Sequence, residues 1–455
     1  MPFFVVLGVA VLEFVNENIV SVATAVMLLS IGVFFTLKLG SFYIRHPVKM
    51  LKEMLKRESG EGISPFRAVT LALAGTLGVG NIAGVASSIA IGGYGSVFWM
   101  WVSALVAMVL KYAEITLAIS HRRIDRGSGE PYGGAPYYIK DTLSRRGFHA
   151  TGKILAGLFA FLCIVNSVTM GCMLQANALS TSFEGVLDIK PWIVGVVVSL
   201  LCCLVITGNA RWVSGFCEKT VPLMTIGYIG VSLAVIWARR DTVGDAFALI
   251  FNDAFRPESA TGGVVGFLIS NKLRAGVMRG LVSNEAGCGT APTAHASSNV
   301  KLPAKQGLWG IFEVFVDTVL LCTLTAIVII LAGEGALLFS DNPMMMAVKS
   351  YSIVLGEWSE YYMCISVFLF AFATMVCWAH YGKESLRAIA KNRAATPVFI
   401  ILFCLCVFVG SVSAPSFAWL LADLSIGIMT IINLPILCAN SREIKLETDR
   451  LFKNK

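Results

Sequence analysis

The sequence predicts an all-α membrane protein with roughly eleven transmembrane helices: one leading helix, then two inverted repeats of five helices, each beginning with a broken helix. Three observations lead to this fold class. Only 14% of the 455 residues are charged and 56% are hydrophobic, whereas soluble domains carry roughly 25% charged residues. The hydrophobic residues form runs long enough to cross a bilayer. Two further segments, rich in glycine and polar residues, occupy corresponding positions in the two halves.

The apolar runs define most of the predicted helices. Runs of spanning length lie at 19–40, 66–93, 96–120, 153–180, 192–208, 219–238, 306–333, 360–382, 395–412 and 416–438. The loops between them alternate between an excess of Lys and Arg and an excess of Asp and Glu. Basic loops stay in the cytoplasm. We therefore expect a multi-pass protein of the plasma (inner) membrane, with its N-terminus outside and its C-terminus in the cytoplasm. The basic loops account for the net charge of +8, so membrane lipid is an expected partner and nucleic acid is not.

The alternation of charge also predicts one crossing that hydropathy misses. The 241–260 loop is acidic and the 299–306 loop is basic, so the chain must cross the bilayer between them. Residues 272–298 hold Arg274, Arg279 and Glu285, which a lipid-facing helix could not tolerate. We therefore predict a buried, interrupted helix here. The predicted domains are a leading helix and cytoplasmic loop at 1–62, a first repeat at 63–240, a second, inverted repeat at 241–440 and a cytoplasmic tail at 441–455.

The first member of each repeat is the candidate binding segment: AGTLGVGNIAG at 74–84 and SNEAGCGTAP at 283–292. Interrupted segments at corresponding positions of two halves point to a transporter binding site. Glycine costs roughly 1 kcal/mol relative to alanine in a helix, so these runs either open the helix or let neighbouring helices pack closely. An opened segment would present N–H groups near Asn81 to a carboxylate and carbonyls near Leu77 to a cation. At the second segment, carbonyls would receive an ammonium group, and Glu285 is either functional or a cap for freed N–H groups.

Several motifs occur in a characteristic order between about Gly62 and Asn433. They are GTLGVGNIAGVASSIAIGG, FWMWVSALVAMVLKYAE, PYGGAPYYI, RGLVSNEAGCGTAPTAHA, GIFEVFVDTVLLCTLTAIVI and FATMVCWAHYG. Together they resemble the alanine/sodium symporter family of amino acid–cation symporters. The resemblance implies a leucine-transporter type of fold, with ten core helices in two inverted repeats. It also implies sodium-coupled symport of alanine, or of a similar small neutral amino acid such as glycine or serine, into the cell.

The resemblance further implies which residues bind the amino acid and the ion. The implied substrate residues are Gly78, Gly80, Asn81, Gln175, Ser283, Asn284, Ala286, Gly287 and Trp378. Within this set Trp378 is similar to the aromatic residue that covers the substrate side chain. Thr374, together with the carbonyls of Ala74 and Leu77, resembles the sodium site. Three positions depart from the family pattern: Ala373 replaces a common serine, which would remove one sodium ligand, and Val79 and Val282 replace a common threonine and phenylalanine.

Other functional classes are less well supported by the sequence. A membrane enzyme is not expected, because no H-E-x-x-H or G-x-S-x-G motif occurs and the histidines are scattered. No cofactor is expected besides sodium as the coupling ion, and no repeated pore loop indicates a channel. A proton-coupled small amino-acid transporter is the closest alternative. Asp317 and Asp423 could relay protons, although pairing with Thr318, backbone or a basic residue is the safer expectation. His295 is either a pH sensor or structural, and 344–346 are expected in an outer loop.

Overall fold

The computed structural model describes residues 3–56, 62–127, 129–208, 210–256, 271–390 and 394–453, and these are almost entirely helical. The helices up to residue 256 are α1 (Phe3–Val15, Asn16–Val20 and Ser21–Lys38, continuous), α2 (Phe42–Arg45), α3 (Pro47–Met54), α4 (Pro65–Thr76), α5 (Ala83–Gly92), α6 (Gly95–Ser120), α7 (Ala135–Arg145), α8 (His149–Leu187), α9 (Pro191–Ile206), α10 (Ala210–Ala238) and α11 (Val243–Ala254). Those from residue 271 onward are α12 (Asn271–Asn284), α13 (Pro292–His295), α14 (Pro303–Ala332), α15 (Glu334–Leu337), α16 (Pro343–Leu355), α17 (Trp358–Ile389), α18 (Ala395–Val412), α19 (Ser416–Ala439) and α20 (Ser441–Lys453). Two short 3₁₀ turns lie at Val79–Asn81 and Arg240–Thr242. The described residues also contain a short hairpin, in which β1 (Arg123–Ile124) pairs antiparallel with β2 (Pro131–Tyr132), and an isolated parallel bridge between Ile63 and Ser298.

Among the described residues, 8 helices are long and apolar enough to cross a membrane: α1, α6, α8, α10, α14, α17, α18 and α19. The pair formed by α4 and Val79–Gly92 would be a ninth span, bent by 59°. The predicted all-α membrane architecture is confirmed. The predicted total of about eleven crossings also includes the shorter helix α9 and the interrupted segment α12–α13. That total, the inverted repeat and the domain boundaries remain predictions.

The helices that position the candidate site lie at the centre of the molecule. In the apolar part of α6, 83% of the residues are buried, and in that of α17, 78% are buried. In the apolar part of α18, which lies at the periphery, only 28% are buried. α6 packs along α12 and α14, and α17 packs against α4 and α8. Glycines allow the closest of these approaches: a Cβ on Gly307 would come within 2.5 Å of Thr116 Oγ1, and one on Gly310 would collide with Ile115. Small residues serve here to bring helices together.

Two stretches differ from the sequence-based expectation. The predicted 241–260 loop contains the amphipathic helix α11 up to Ala254, and its residues from 257 lie outside the described part of the chain. Residues 344–346 lie in the first turn of α16 and are buried, so their placement in an outer loop was wrong. Both helices are shorter than a membrane span, and a hydropathy window of spanning length does not detect them.

Candidate binding site at the two helix breaks

The first break comprises residues 77–82 between α4 and α5. The last helical hydrogen bond of α4 runs from Leu77 N to Leu73 O at 2.7 Å. The chain is then extended at Gly78, forms the 3₁₀ turn Val79–Asn81 and becomes helical again at Ala83. The side chain of Asn81 accepts a hydrogen bond from Gly78 N at 3.1 Å, which caps the restarting segment. The predicted interruption at 74–84 is therefore present.

Gly78 is required because two polar side chains approach the opened backbone. A Cβ at this position would lie 2.7 Å from Thr374 Oγ1 and 3.0 Å from Gln175 Oε1. Gln175, from α8, accepts a hydrogen bond from Val79 N at 3.1 Å. The structure thus brings together three of the residues that the resemblance implied for the site: Gly78 from the first break, Gln175 from α8 and Thr374 from α17.

The oxygens of the implied sodium site also converge at the first break. Thr374 Oγ1 donates a hydrogen bond to Ala74 O at 2.9 Å and lies 3.4 Å from Leu77 O. These carbonyls lie where α4 ends, so they are available to a ligand. Within the described ranges no group of three or more His, Cys, Asp or Glu side chains could hold a metal ion. The oxygens gathered here are carbonyl and hydroxyl oxygens, which suit a hard monovalent cation.

The second break comprises residues 285–291 between α12 and α13. Glu285 adopts a left-handed conformation with φ 53°, and Gly287 and Gly289 have φ 89° and 84°. Asn284 Oδ1 accepts a hydrogen bond from Ala286 N at 3.0 Å. A side-chain acceptor and three left-handed residues therefore end the helix where the sequence predicted an interruption.

One carboxylate joins the two breaks. Asn81 Nδ2, from the first break, donates to Ser283 Oγ at 3.0 Å and to Asp317 Oδ1 at 2.7 Å. Ser283 Oγ and Thr318 Oγ1 both donate to Asp317 Oδ2, at 2.8 and 2.7 Å. The expected pairing of Asp317 with Thr318 is present, but its contacts with Asn81 and Ser283 were not anticipated. Asp317 reaches them from a π-helical turn of α14 at Phe315–Cys322, which hydropathy does not reveal.

Trp378 is fully buried on α17, one turn after Thr374. Its side chain packs on the π-helical turn Thr169–Met173 of α8, where a Cβ on Gly171 would collide with it, and its ring meets Tyr381 edge-on at 5.4 Å. Its indole nitrogen has no hydrogen-bond partner in the described part of the chain. These contacts place Trp378 next to α8, and its role as the cover of a substrate side chain remains a prediction.

A charged group missed by sequence reasoning lies against the second break. Lys111, fully buried on α6, donates to Asn284 O at 2.7 Å and lies 3.1 Å from Glu313 Oε1. His295 Nε2 lies 3.1 Å from Glu313 Oε2, so the structural reading of His295 is supported by a defined partner. A lysine three residues before Glu114 in an otherwise apolar helix was the available signal, because ionisable residues at membrane depth are generally functional.

A cavity of about 260 Å³ reaches the first break from one end of the bundle. Val79 and Ala83 line its inner part, Asn177 one wall, and Asn342 and Trp419 its outer part. The cavity connects the first break with the loop before α16. The charge pattern predicts that this loop lies on the outer side of the membrane, and that orientation remains a prediction.

Comparison with known proteins identifies the family. The model of the sodium:alanine symporter family matches residues 6–454. The chain belongs to this family. A sodium/alanine symporter of Methanococcus maripaludis is 33% identical over 94% of this chain and 93% of its own length. A probable sodium/glutamine symporter of Bacillus subtilis is 32% identical over 92% of this chain and 85% of its own.

Solved structures agree at the level of the fold. A manganese transporter of Eremococcus coleocola has a TM-score of 0.52 and 13% identity, over 84% of this chain and 76% of that protein. At this identity the likeness concerns the fold alone. Membership of the sodium:alanine symporter family makes the chain a sodium-coupled amino-acid transporter of the membrane and not an enzyme.

Proposed function

We propose that this family member imports alanine, or a similar small neutral amino acid such as glycine or serine, together with sodium across the plasma membrane. The proposal rests on one observation: Thr374 Oγ1 contacts the carbonyl oxygens of Ala74 and Leu77 at the end of α4. Sodium requires oxygen ligands, and carbonyls freed at a broken helix supply them inside a membrane. Because sodium is more concentrated outside the cell, symport with it is directed inward.

The amino acid is proposed to bind between the two breaks. Its carboxylate would meet the N–H groups where the chain restarts near Asn81, because a helix N-terminus carries partial positive charge. Its ammonium group would face the carbonyl oxygens of the second break. The proposed substrate contacts are Gly78, Gly80, Asn81, Gln175, Ser283, Asn284, Ala286, Gly287 and Trp378. In support, a Cβ on Gly80 would lie only 3.6 Å from Ser283 Cα, so the two segments are close enough to share one small ligand.

The family does not determine how large the side chain of the transported amino acid is. The relatives of this chain include a sodium/alanine symporter and a probable sodium/glutamine symporter. Tight packing favours the smaller substrate. Gly78 is too close to Gln175 and Thr374 for even one added methyl group, and Trp378 fills the space beside Gly171. A small apolar side chain suits a site whose walls leave so little room.

The proposal is tested by radiolabelled alanine uptake into proteoliposomes. We expect uptake to require an inward sodium gradient, to stop when choline replaces sodium, and to be inhibited by unlabelled glycine or serine more strongly than by glutamine. Uptake that persists in choline and follows an imposed pH gradient would establish the proton-coupled alternative instead. The proposed topology, with the N-terminus outside and the C-terminus in the cytoplasm, is tested by protease accessibility of terminal tags in sealed vesicles.

A further inference from the structure

The short helix α3 and the residue that follows it have an apolar face that the described part of the protein leaves uncovered. Val48, Leu51 and Leu55 are 64%, 43% and 70% exposed. Their spacing of three and four residues places them on one side of the helix, and the hydrogen bond from Leu55 N to Leu51 O extends that side to Leu55. In α2, Ile44 is 61% exposed. Single exposed apolar side chains are ordinary, whereas a row of them indicates a surface that contacts something.

A row of basic residues lies beside this apolar face. Lys49, Lys52 and Lys56 repeat the same spacing one residue further along the chain, so they project from a side roughly 100° around the helix from the apolar row. Lys52 on α3 and Arg45 on α2 are exposed, and within the described ranges neither has a hydrogen-bond or ion-pair partner. Two cations are therefore available beside the apolar face.

The third side of α3 is fixed against the bundle. Met54 is 4% exposed and packs in the hydrophobic core. Lys305 Nζ, near the start of α14, donates to Lys56 O at 2.9 Å. Lys49 Nζ donates to Phe452 O of α20 at 3.1 Å. Because α3 is held along one side and near both of its ends, its apolar row cannot turn inward without breaking these contacts.

The neighbouring helix α20 has the opposite arrangement. It packs against α6 and α14, and its apolar residues Ile444 and Leu451 are buried. Within its described range, Leu446 is the one large apolar side chain that is exposed. The exposed side of α20 carries charged residues such as Lys445. α20 thus docks on the protein through its apolar face, whereas α3 keeps an apolar face for another contact.

The place of α2 and α3 in the chain indicates what covers this face. Helix α1 is long and apolar enough to cross a membrane and ends at Lys38. A turn at 39–41 separates it from α2, so α2 and α3 follow directly after the end of a membrane span. Hydrocarbon meets the lipid headgroups at such an end. An apolar row beside a basic row fits this boundary, because the apolar side chains can enter the hydrocarbon while the cations meet anionic headgroups.

We propose that residues 44–56 form a docking surface for anionic phospholipids, with Arg45 and Lys52 in contact with the headgroups and the apolar row in the hydrocarbon. Each basic residue near an anionic lipid surface strengthens binding roughly fivefold, so the two together contribute roughly 25-fold. A second copy of the chain is a poorer occupant, because symmetric docking through this face would bring two basic rows together. The docking surface depends neither on the transported amino acid nor on the coupling ion.

Photocrosslinking of the full chain in liposomes of phosphatidylcholine and phosphatidylglycerol identifies what covers the apolar face. A benzophenone amino acid replaces Val48 in one variant and Lys445, on the exposed side of α20, in the matched control. After illumination we expect lipid adducts at position 48, detected by mass spectrometry, and at least tenfold fewer at position 445. Equal adduct yields at the two positions overturn the proposal. Crosslinked dimers without lipid adducts at position 48 also overturn it, because the occupant is then a second copy of the chain.

Hydrogen–deuterium exchange tests the preference for anionic lipid. The amides of residues 44–56 are compared in nanodiscs of phosphatidylcholine alone and of phosphatidylcholine with phosphatidylglycerol. In the unmodified protein, exchange should be several-fold slower with the anionic lipid, and at most roughly 25-fold slower, the combined contribution of two cations. The double variant Arg45→Gln with Lys52→Gln should lose this difference, and Lys445→Gln should keep it.

Two results of the exchange experiment refute a charge-selective surface. One is equal exchange of the unmodified protein in the two kinds of nanodisc. The other is an undiminished difference in the double variant. Neither the crosslinking nor the exchange experiment involves uptake, so a failure of sodium-driven uptake would refute the proposed function and leave the docking surface in place.

Discussion

Replacing Thr374 by alanine is the sharpest test of the proposed sodium site. The substitution removes the one side-chain oxygen of the site and leaves the carbonyls of Ala74 and Leu77 in place. A hydrogen bond or polar contact to a charged group contributes about 1.5–3 kcal/mol. Since each 1.4 kcal/mol changes an equilibrium constant tenfold, the sodium concentration for half-maximal uptake should rise by roughly 10- to 150-fold.

The assay is alanine uptake into proteoliposomes as a function of sodium concentration, followed by an alanine titration at saturating sodium. Thr374→Ser keeps the hydroxyl and should retain near-normal sodium activation, so it controls for general disturbance of α17. Ala373→Ser adds the hydroxyl that the family resemblance implied at the preceding position and should shift sodium activation in the opposite direction. An unchanged sodium dependence in Thr374→Ala, with normal expression, would remove this residue from the site and refute the reasoning.

Three other substitutions give defined outcomes. Gly78→Ala places a methyl group 2.7 Å from the Thr374 hydroxyl, so uptake should fall by at least tenfold while the detergent-solubilised protein remains monodisperse on size-exclusion chromatography. Trp378→Ala should weaken alanine affinity and admit larger amino acids, measured by competition with glutamine; an unchanged substrate profile would contradict its covering role. Lys111→Met leaves Glu313 unpaired in the interior, at a cost of about 3–5 kcal/mol. Its thermal unfolding temperature should fall, and the double variant with Glu313→Gln should recover part of the loss; equal stability of the single variant would show that the pair is not ionic.

The two breaks in the helices could be predicted because clusters of glycine and charged residues are visible in the sequence. The interruptions at 74–84 and 283–292 follow from clustered glycines and polar residues in spans that are otherwise apolar. The meeting of Thr374 with Ala74 and Leu77 was implied by motif resemblance, since no sequence pattern shows which residues of two distant helices touch. The short helix α16 escaped notice because it lies below the length of a membrane span.

Sequence reasoning missed Lys111 and most of the partners of the buried charged residues. Lys111 and Glu114 lie in one apolar helix. Periodicity alone does not distinguish a charged residue that faces the protein interior from one that lies near a helix end and reaches the membrane surface. Their partners, Asn284 and Asn433, come from segments 173 and 319 residues away. Asp317 was expected to pair with Thr318, the backbone or a basic residue. Its contacts with both breaks were not anticipated, because the π-helical turn that directs it toward them has no signature in hydropathy.

The contact between Lys111 and Asn284 has a consequence for the electrical properties of the carrier. At the end of α12 the free carbonyl already holds an ammonium group that is covalently part of the protein, whereas the carbonyls at the end of α4 meet only a hydroxyl. An attached cation stays behind in every cycle, so of these two ends only that of α4 is open to the sodium ion of the proposed symport. A zwitterion accompanied by one such ion moves a single net positive charge inward, and a voltage negative inside then adds roughly 2.3 kcal/mol per 100 mV to the driving force.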